Sequence, residues 1–347
     1  MTIIAVNHAA LLLEQGKDLV VEQRPVPEPK EDEILVRNHS IALNPVDWKQ
    51  QAWGFGIETY PTILGSDIAG TVERTGPNQK DFKKGDRVTA WSGSRIIKRL
   101  DGGAFQNWSI INPVTTSKLP DNIPFEQGAA IPLGLVTAST LLFDSVGVPL
   151  PESESSATDG SAVILIWGGS SSVGSNAIQL ARRAGLKVLT TASPQHHEYL
   201  KSLGANQVFD YHSSTVIDDI IAAVEKAGDS VEYAIDTISL PESLRQVTAI
   251  LNKTGVKSKK LGLVLGWPED VQKPEGVEVV PTSAGNIFKK TDIADWVFRK
   301  FLPTALEKGT FVPSPHVKLL PGGLGGLQAG LDTLKRGVSG QKVVFNL

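Results

Sequence analysis

The residues best placed to do chemistry in this sequence form a turn of small side chains between an apolar run and a helical pattern. Ile164-Leu-Ile-Trp-Gly-Gly-Ser-Ser-Ser-Val-Gly-Ser-Asn-Ala-Ile leads from a strand-like segment through residues 168–175 into helical spacing. A turn of this kind lets a phosphate approach the backbone, where the amides of a helix N-terminus point at it. Aligned on Gly174, the pattern G-x-G-x-x-G becomes Gly169-x-Ser171-x-x-Gly174, with Ser170, Ser172 and Val173 between and a serine in place of the middle glycine. Alone, the turn also suits a plain strand–helix connection. The complete strand–helix–strand unit around it favours a dinucleotide, and a side chain at Gly174 is expected to block the pyrophosphate.

The end of the following strand bears on which dinucleotide. An Asp or Glu there accepts from the ribose 2′-hydroxyl of NAD and repels a 2′-phosphate. The segment reads Thr190-Thr-Ala-Ser-Pro-Gln-His-His, with no acid before Glu198. Ser193 can donate to a phosphate, His196 or His197 can add partial positive charge, and Lys201 follows on the same helix. NADPH is favoured; the alternative is that these residues only solvate the start of a helix.

Other constellations are weaker. The six histidines show neither H-E-x-x-H spacing nor clustering with carboxylates. The absence of cysteine removes disulfides, a thiolate nucleophile and Cys-ligated zinc or iron–sulfur clusters. No G-x-S-x-G elbow supports a hydrolase triad. Asn44-Pro-Val-Asp47-Trp-Lys49 gathers polar side chains at a strand end and reads, in isolation, as a turn with a capped helical stub. Pro321-Gly-Gly-Leu-Gly-Gly-Leu lacks the Lys-Ser/Thr of a phosphate loop and reads as a helix approach.

The elements that must position these residues alternate between two textures. From Leu19 to about Asn112, short apolar runs broken by Gly, Pro and Asp predict a barrel-like β module. Helical spacing follows around 126–143, and then a serine-rich surface loop over 149–161. From Ala162 the chain alternates strand and helix, which implies a parallel sheet with right-handed crossovers. Strands are predicted at 162–167, 187–191, 207–210 and 231–236, and helices at 176–184, 195–203 and 217–225. Residues 312–347 return to strands and Gly-rich turns. Across 347 residues, 41% hydrophobic and 20% charged, the composition is that of a globular protein of about two domains. A net charge of −3 without a basic tract gives no electrostatic case for nucleic acid or anionic membrane. No signal-like start or membrane-length apolar run is read, so a soluble cytoplasmic protein is expected.

With these residues in hand, the chain resembles the zinc-independent, quinone-oxidoreductase-like branch of the medium-chain dehydrogenase/reductases. The resemblance runs from Leu11 to Leu347 through ordered motifs. They include Asn44-Pro-Val-Asp-Trp-Lys, Leu64-Gly-Ser-Asp-Ile-Ala-Gly-Thr-Val, Lys84-Gly-Asp-Arg-Val and Gly102-Gly-Ala-Phe-Gln. Further along come Ala129-Ala-Ile-Pro-Leu-Gly-Leu-Val-Thr-Ala, Leu203-Gly-Ala-Asn-Gln-Val-Phe-Asp-Tyr and Ser339-Gly-Gln-Lys. Zinc-dependent members carry Gly-His-Glu where this chain has Gly65-Ser66-Asp67. The finer details are similar to fungal trans-acting enoyl reductases that serve polyketide synthases.

The resemblance implies an α/β architecture, with a GroES-like β-barrel catalytic domain over 1–133 and 310–347. A Rossmann doubly wound parallel-sheet domain would occupy 134–309, with the active site in the cleft. It places Lys49 and Thr137 as catalytic residues at the nicotinamide side of NADPH, and Asn44 and Lys342 against the cofactor. Ser193 and Tyr211 would meet the adenosine 2′-phosphate, with His196 where relatives use a lysine. Leu265 and the loop 284–288 would flank the nicotinamide and acyl chain, and Trp53 and Phe288 would line the substrate pocket. The implied activity is reduction of an activated carbon–carbon double bond, plausibly in an enoyl thioester on the acyl carrier of a polyketide synthase. Two alternatives stay open: a quinone or alkenal reductase acting on free molecules, and an NADPH-binding sensor without turnover. Either a monomer or a dimer is compatible.

Overall fold

In the first stretch of the chain, runs of β-branched and aliphatic residues pair into strands because each has a face to bury. The computed structural model describes residues 6–151, 162–226 and 230–347. Of the expected serine-rich loop, 152–161 lie outside the described residues. Eight strands come first: β1 (Asn7–Leu12), β2 (Val20–Arg24), β3 (Ile34–Ala42), β4 (Thr62–Ile63), β5 (Asp67–Thr75), β6 (Arg87–Trp91), β7 (Trp108–Ile111) and β8 (Thr116–Lys118). Between β3 and β4 lies helix α1 (Pro45–Trp53), with proline at its first position, where a missing N–H costs nothing. After β8 come α2 (Phe125–Ala129) and α3 (Pro132–Ser139), and α3 widens into a π-type turn at Thr140–Ser145. The helical run Phe125–Ser145 is long and apolar enough to cross a membrane, and 83% of its most apolar 18-residue stretch is buried within the protein.

The middle of the chain alternates strand and helix: β9 (Val163–Trp167), α4 (Ser172–Arg183), β10 (Lys187–Thr191), α5 (His197–Ser202), β11 (Gln207–Phe209), α6 (Val216–Lys226), β12 (Val231–Asp236), α7 (Pro241–Thr254), β13 (Lys260–Leu263) and β14 (Glu278–Pro281). The six strands are all parallel and lie in the order β11-β10-β9-β12-β13-β14. This is the doubly wound order, with its switch point between β9 and β12. Val163, Leu165 and Trp167 of β9 pack with Ile220 and Val224 of α6 and Val247 and Leu251 of α7. Every residue of β9 is buried, as its unbroken apolar run requires.

The chain then passes through α8 (Thr291–Asp295), a π-type turn at Trp296–Phe301, α9 (Leu302–Glu307), β15 (His316–Leu320), α10 (Leu327–Arg336) and β16 (Gln341–Asn346). β15 and β16 complete a seven-stranded sheet, β15-β16-β3-β5-β6-β8, with β7 also on β3; β2-β1-β4 form a separate three-stranded sheet. Leu11, Ile34, Val36, Ile68, Phe105, Leu327 and Phe345 share one core.

The chain divides into two compact units, Met1–Leu133 with Ala294–Leu347, and Gly134–Ile293. The return to the first unit comes at 294, ahead of the 310 that the resemblance implies. The segment between is helical and packs on the β unit. Arg299 pairs with Asp81 and lies over the Phe82 ring at 5.3 Å, and Phe301 meets Phe311 edge-on.

Candidate functional site

In the second unit the small-residue turn closes the gap between β9 and α4. Helix α4 starts at Ser172, four residues before the predicted 176, because Ser171 caps it: its Oγ accepts from the Gly174 N–H at 2.9 Å. Ser171 has φ −68°, which any residue adopts, so the site where a glycine is usual needs none. Its hydroxyl proton is directed to Thr237 Oγ1 at 2.9 Å. Thr237 in turn donates to the carbonyl of Trp167 (2.8 Å) or Gly168 (2.9 Å), so the end of β12 braces the turn.

The glycines are held for space. A Cβ on Gly174 would stand 2.3 Å from the Gly168 carbonyl oxygen, and one on Gly169 would stand 2.3 Å from Thr190 Oγ1. Gly174 therefore serves the close packing of helix on turn, and a side chain there collides with the turn itself. This clash within the turn is a further reason, beside the expected obstruction of the pyrophosphate, for a glycine at this position. Ser170, Ser172 and Val173 are half-buried on the open side. Helix α4 has no acid in its first turn and carries Arg182 and Arg183 in its last, so its dipole favours an anion at the turn. The residues present fit a dinucleotide phosphate.

Beyond β10, Ser193 Oγ lies 3.5 Å from the Tyr211 hydroxyl, and His196 is half-buried beside Gln195. Glu198, the first acid after the strand, is turned to Lys201 at 2.8 Å, and His197 Nε2 lies 2.9 Å from the Ala192 carbonyl. The other residues expected in this unit stand on separate elements. Thr137 is half-buried on α3, Leu265 is exposed after β13, and Phe288 ends a turn at Ala284–Phe288.

The first unit holds a second group of polar side chains. Lys342 on β16 is 2% exposed, and its Nζ donates to Asn44 Oδ1 (2.5 Å) and Asp67 Oδ2 (2.9 Å). Asn44 Nδ2 donates to the same Asp67 oxygen at 2.9 Å, and Asp67 Oδ1 accepts from the Leu133 N–H at 2.9 Å. The start of α1 is held by Asp47, whose Oδ2 accepts from the Asn44 N–H at 2.7 Å. Lys49, two residues on, is half-buried with its ammonium 5.7 Å from the Trp48 ring centre. Trp53 packs edge-on to Trp48 and is 61% exposed. The structure thus joins Asn44 to Lys342 and Ser193 to Tyr211, and sets both Lys49 and Trp53 against Trp48. Sequence reasoning missed Asp67 and Thr237 as site residues. Asp67 had a local signal, the acid of Gly65-Ser-Asp; Thr237 had none.

Burial pushes the Asp47 carboxyl up to about 7, against the pull of the Asn44 N–H, and the neighbouring Asp67 charge adds to the push. Lys342 and Arg95 oppose it. A raised native pKa means that the folded protein keeps a proton the unfolded chain releases near pH 4. Stability from this group is present at low pH and lost as the pH climbs through about 7, roughly 4 kcal/mol in all. Melting curves from pH 4 to 8 should show this decline in the wild type. Asp47→Asn, whose amide oxygen still accepts from Asn44, should lack it; equal slopes would place the proton elsewhere.

Two protein families match the chain: the alcohol dehydrogenase GroES-like domain over residues 30–121 and zinc-binding dehydrogenase over 172–258. The chain is 38% identical over 344 residues to zinc-binding alcohol dehydrogenase domain-containing protein cipB of Emericella nidulans, covering 99% of each chain. It is 36% identical over 317 residues to trans-enoyl reductase himH of Aspergillus japonicus, covering 91% of this chain and 90% of that one. A solved structure, a putative zinc-dependent alcohol dehydrogenase from Rhizobium etli, superposes with a TM-score of 0.79 at 23% identity over 99% of each chain. The fold, the phosphate-fitted turn and these matches agree. The chain belongs to the medium-chain dehydrogenase/reductase family of oxidoreductases.

Proposed function

We propose that this protein is an NADPH-dependent enoyl reductase that acts in trans on a polyketide enoyl thioester. The observation that carries the reading is the braced phosphate turn at the switch point of a doubly wound sheet, in a chain whose relatives include named trans-enoyl reductases. NADPH, when bound, supplies the hydride for the β-carbon of the substrate. The turn 169–174 holds the pyrophosphate through backbone amides and serine hydroxyls. Ser193, Tyr211 and His196 receive the 2′-phosphate; of the two acids nearby, Glu198 is turned to Lys201 and Asp210 to His212. A zinc-independent reaction is favoured by the donor set. At Gly65-Ser66-Asp67 both carboxylate oxygens of Asp67 are taken, by Asn44 and Lys342 on one side and the Leu133 amide on the other. Among the described residues no three His, Cys, Asp or Glu side chains gather as metal ligands. A polyketide synthase whose carrier domain presents the substrate is the partner this reading calls for.

NADPH oxidation followed at 340 nm with a simple enoyl thioester, a quinone and a saturated ketone tests the proposal. Consumption with the thioester is the expected result. Consumption with the quinone alone would move the protein to detoxification of free small molecules, and turnover of none despite tight NADPH binding would point to a sensor. Within the same assay, Lys49→Ala should lower kcat by about 100-fold. Its melting temperature should fall little, since a half-buried lysine with one ring contact adds about 1 kcal/mol at most. Matching losses of activity and stability would make Lys49 structural.

A further inference from the structure

Asn44 occupies the N-cap position of α1, where an Asn side chain ordinarily accepts from the helix's own first-turn amides. Here it does not; its amide is turned to Asp67 and Lys342. The helix is nine residues long, too short to hold itself, and Lys49 is its fifth residue. Its start is fixed at the backbone by Asp47, and at the Asn44 side chain from outside, by an ion pair between β5 and β16. Such a pair is an expensive way to gain stability, because apolar residues of similar volume do as well or better in a buried place. The resemblance-based expectation sets Lys342 against the cofactor. In the structure two of its three N–H bonds are spent within this cluster, and almost none of the side chain reaches solvent.

We propose that Asp67 and Lys342 are positioning residues: their buried ion pair holds Asn44, Asn44 fixes the start of α1, and this sets where Lys49 stands. The inference rests on the reading of Lys49 as the residue that works on substrate or cofactor. Asp67 anchors a second point as well, since its other oxygen holds the Leu133 amide in the first turn of α3. One carboxylate thus ties down the starts of two helices.

The test replaces the pair by apolar residues, Asp67→Leu/Lys342→Met, in the full-length protein. The fold is expected to survive, because no lone charge is left behind. NADPH affinity, measured by fluorescence titration, should stay within about twofold, whereas kcat should fall by about 100-fold, as expected when a reacting group is displaced by an ångström. An activity-independent readout is the rate at which Lys49 is acetylated by a trace reagent, read by peptide mass spectrometry; it should change severalfold. A second variant, Asp67→Asn/Lys342→Gln, keeps hydrogen-bonding groups without charge, and should bring acetylation and kcat back toward wild type. It also serves if the apolar variant does not fold. A tenfold or greater loss of NADPH affinity with Lys49 acetylation unchanged would return Lys342 to the cofactor and overturn the proposal. So would unchanged kcat and acetylation in the apolar variant. Should the wild type reduce none of the three substrates, the enoyl reductase reading fails, while Lys49 acetylation still decides the positioning role.

Discussion

Gly174→Val is expected to leave a protein with no measurable NADPH binding, at least about 100-fold weaker than wild type. The added Cβ would sit 2.3 Å from the Gly168 carbonyl oxygen and 2.8 Å from the Gly169 Cα, and neither can yield, because both are backbone. Gly168 has φ +85° and its own missing Cβ faces Ile238 and Thr237, so the turn has no room to withdraw. Separation of α4 from β9 is the remaining escape. It would break the Ser171–Gly174 cap and the Ser171–Thr237 bond, about 1 kcal/mol each. The amides that face a phosphate would then point elsewhere. Fluorescence titration with NADPH checks the loss, and circular dichroism checks that the β unit still folds. Wild-type affinity would mean that the cofactor does not use this turn.

The second large effect is on stability. Lys342→Met alone strands the Asp67 carboxylate in the interior beside Asp47, and Asp67→Leu alone strands the ammonium. Either single change should cost about 3–5 kcal/mol, because it leaves an uncompensated buried charge. In a chain of this size that lowers the melting temperature by roughly 4–7 °C. The double change should recover most of the loss, so the cycle is far from additive. Additive losses would mean that the two charges do not sense one another.

The parts of the site that were legible in the sequence share one property: their partners lie close along the chain. Gly169, Ser171 and Gly174 fall within six residues, between an apolar run and a helix, and the turn they form follows from that order. Asn44 and Asp47 likewise announce the start of a helix. The exact start of α4 was not legible, since Ser171 replaces a glycine by capping through its side chain, which spacing alone does not show. Nor was the partner of Lys342. It is 275 residues from Asp67, and only the pairing of β16 with β3 and of β3 with β5 brings the two together. The return to the β unit at 294 was hidden for a related reason. Helical texture reveals which residues seek an apolar face, but not which unit supplies it. The strands β13 and β14, which extend the sheet beyond β12, are short and lack a run long enough to stand out.

The place of β16 in the sheet also has a consequence for the newly made chain. It sits between β15 and β3, and Val344 pairs with Ala42. At a synthesis rate of about 5–20 residues per second, β3 leaves the ribosome roughly 15–60 s before that neighbour exists. During this interval the Ser40–Ala42 end of β3 lacks a neighbour on one side, while β7 covers Ile34–Arg37, and an unpaired strand edge is a template for association with other chains. The Gly134–Ile293 unit, whose strands all lie within that span, has no such wait. The inserted unit can thus be finished while the unit that flanks it in sequence still lacks the last strands of its sheet.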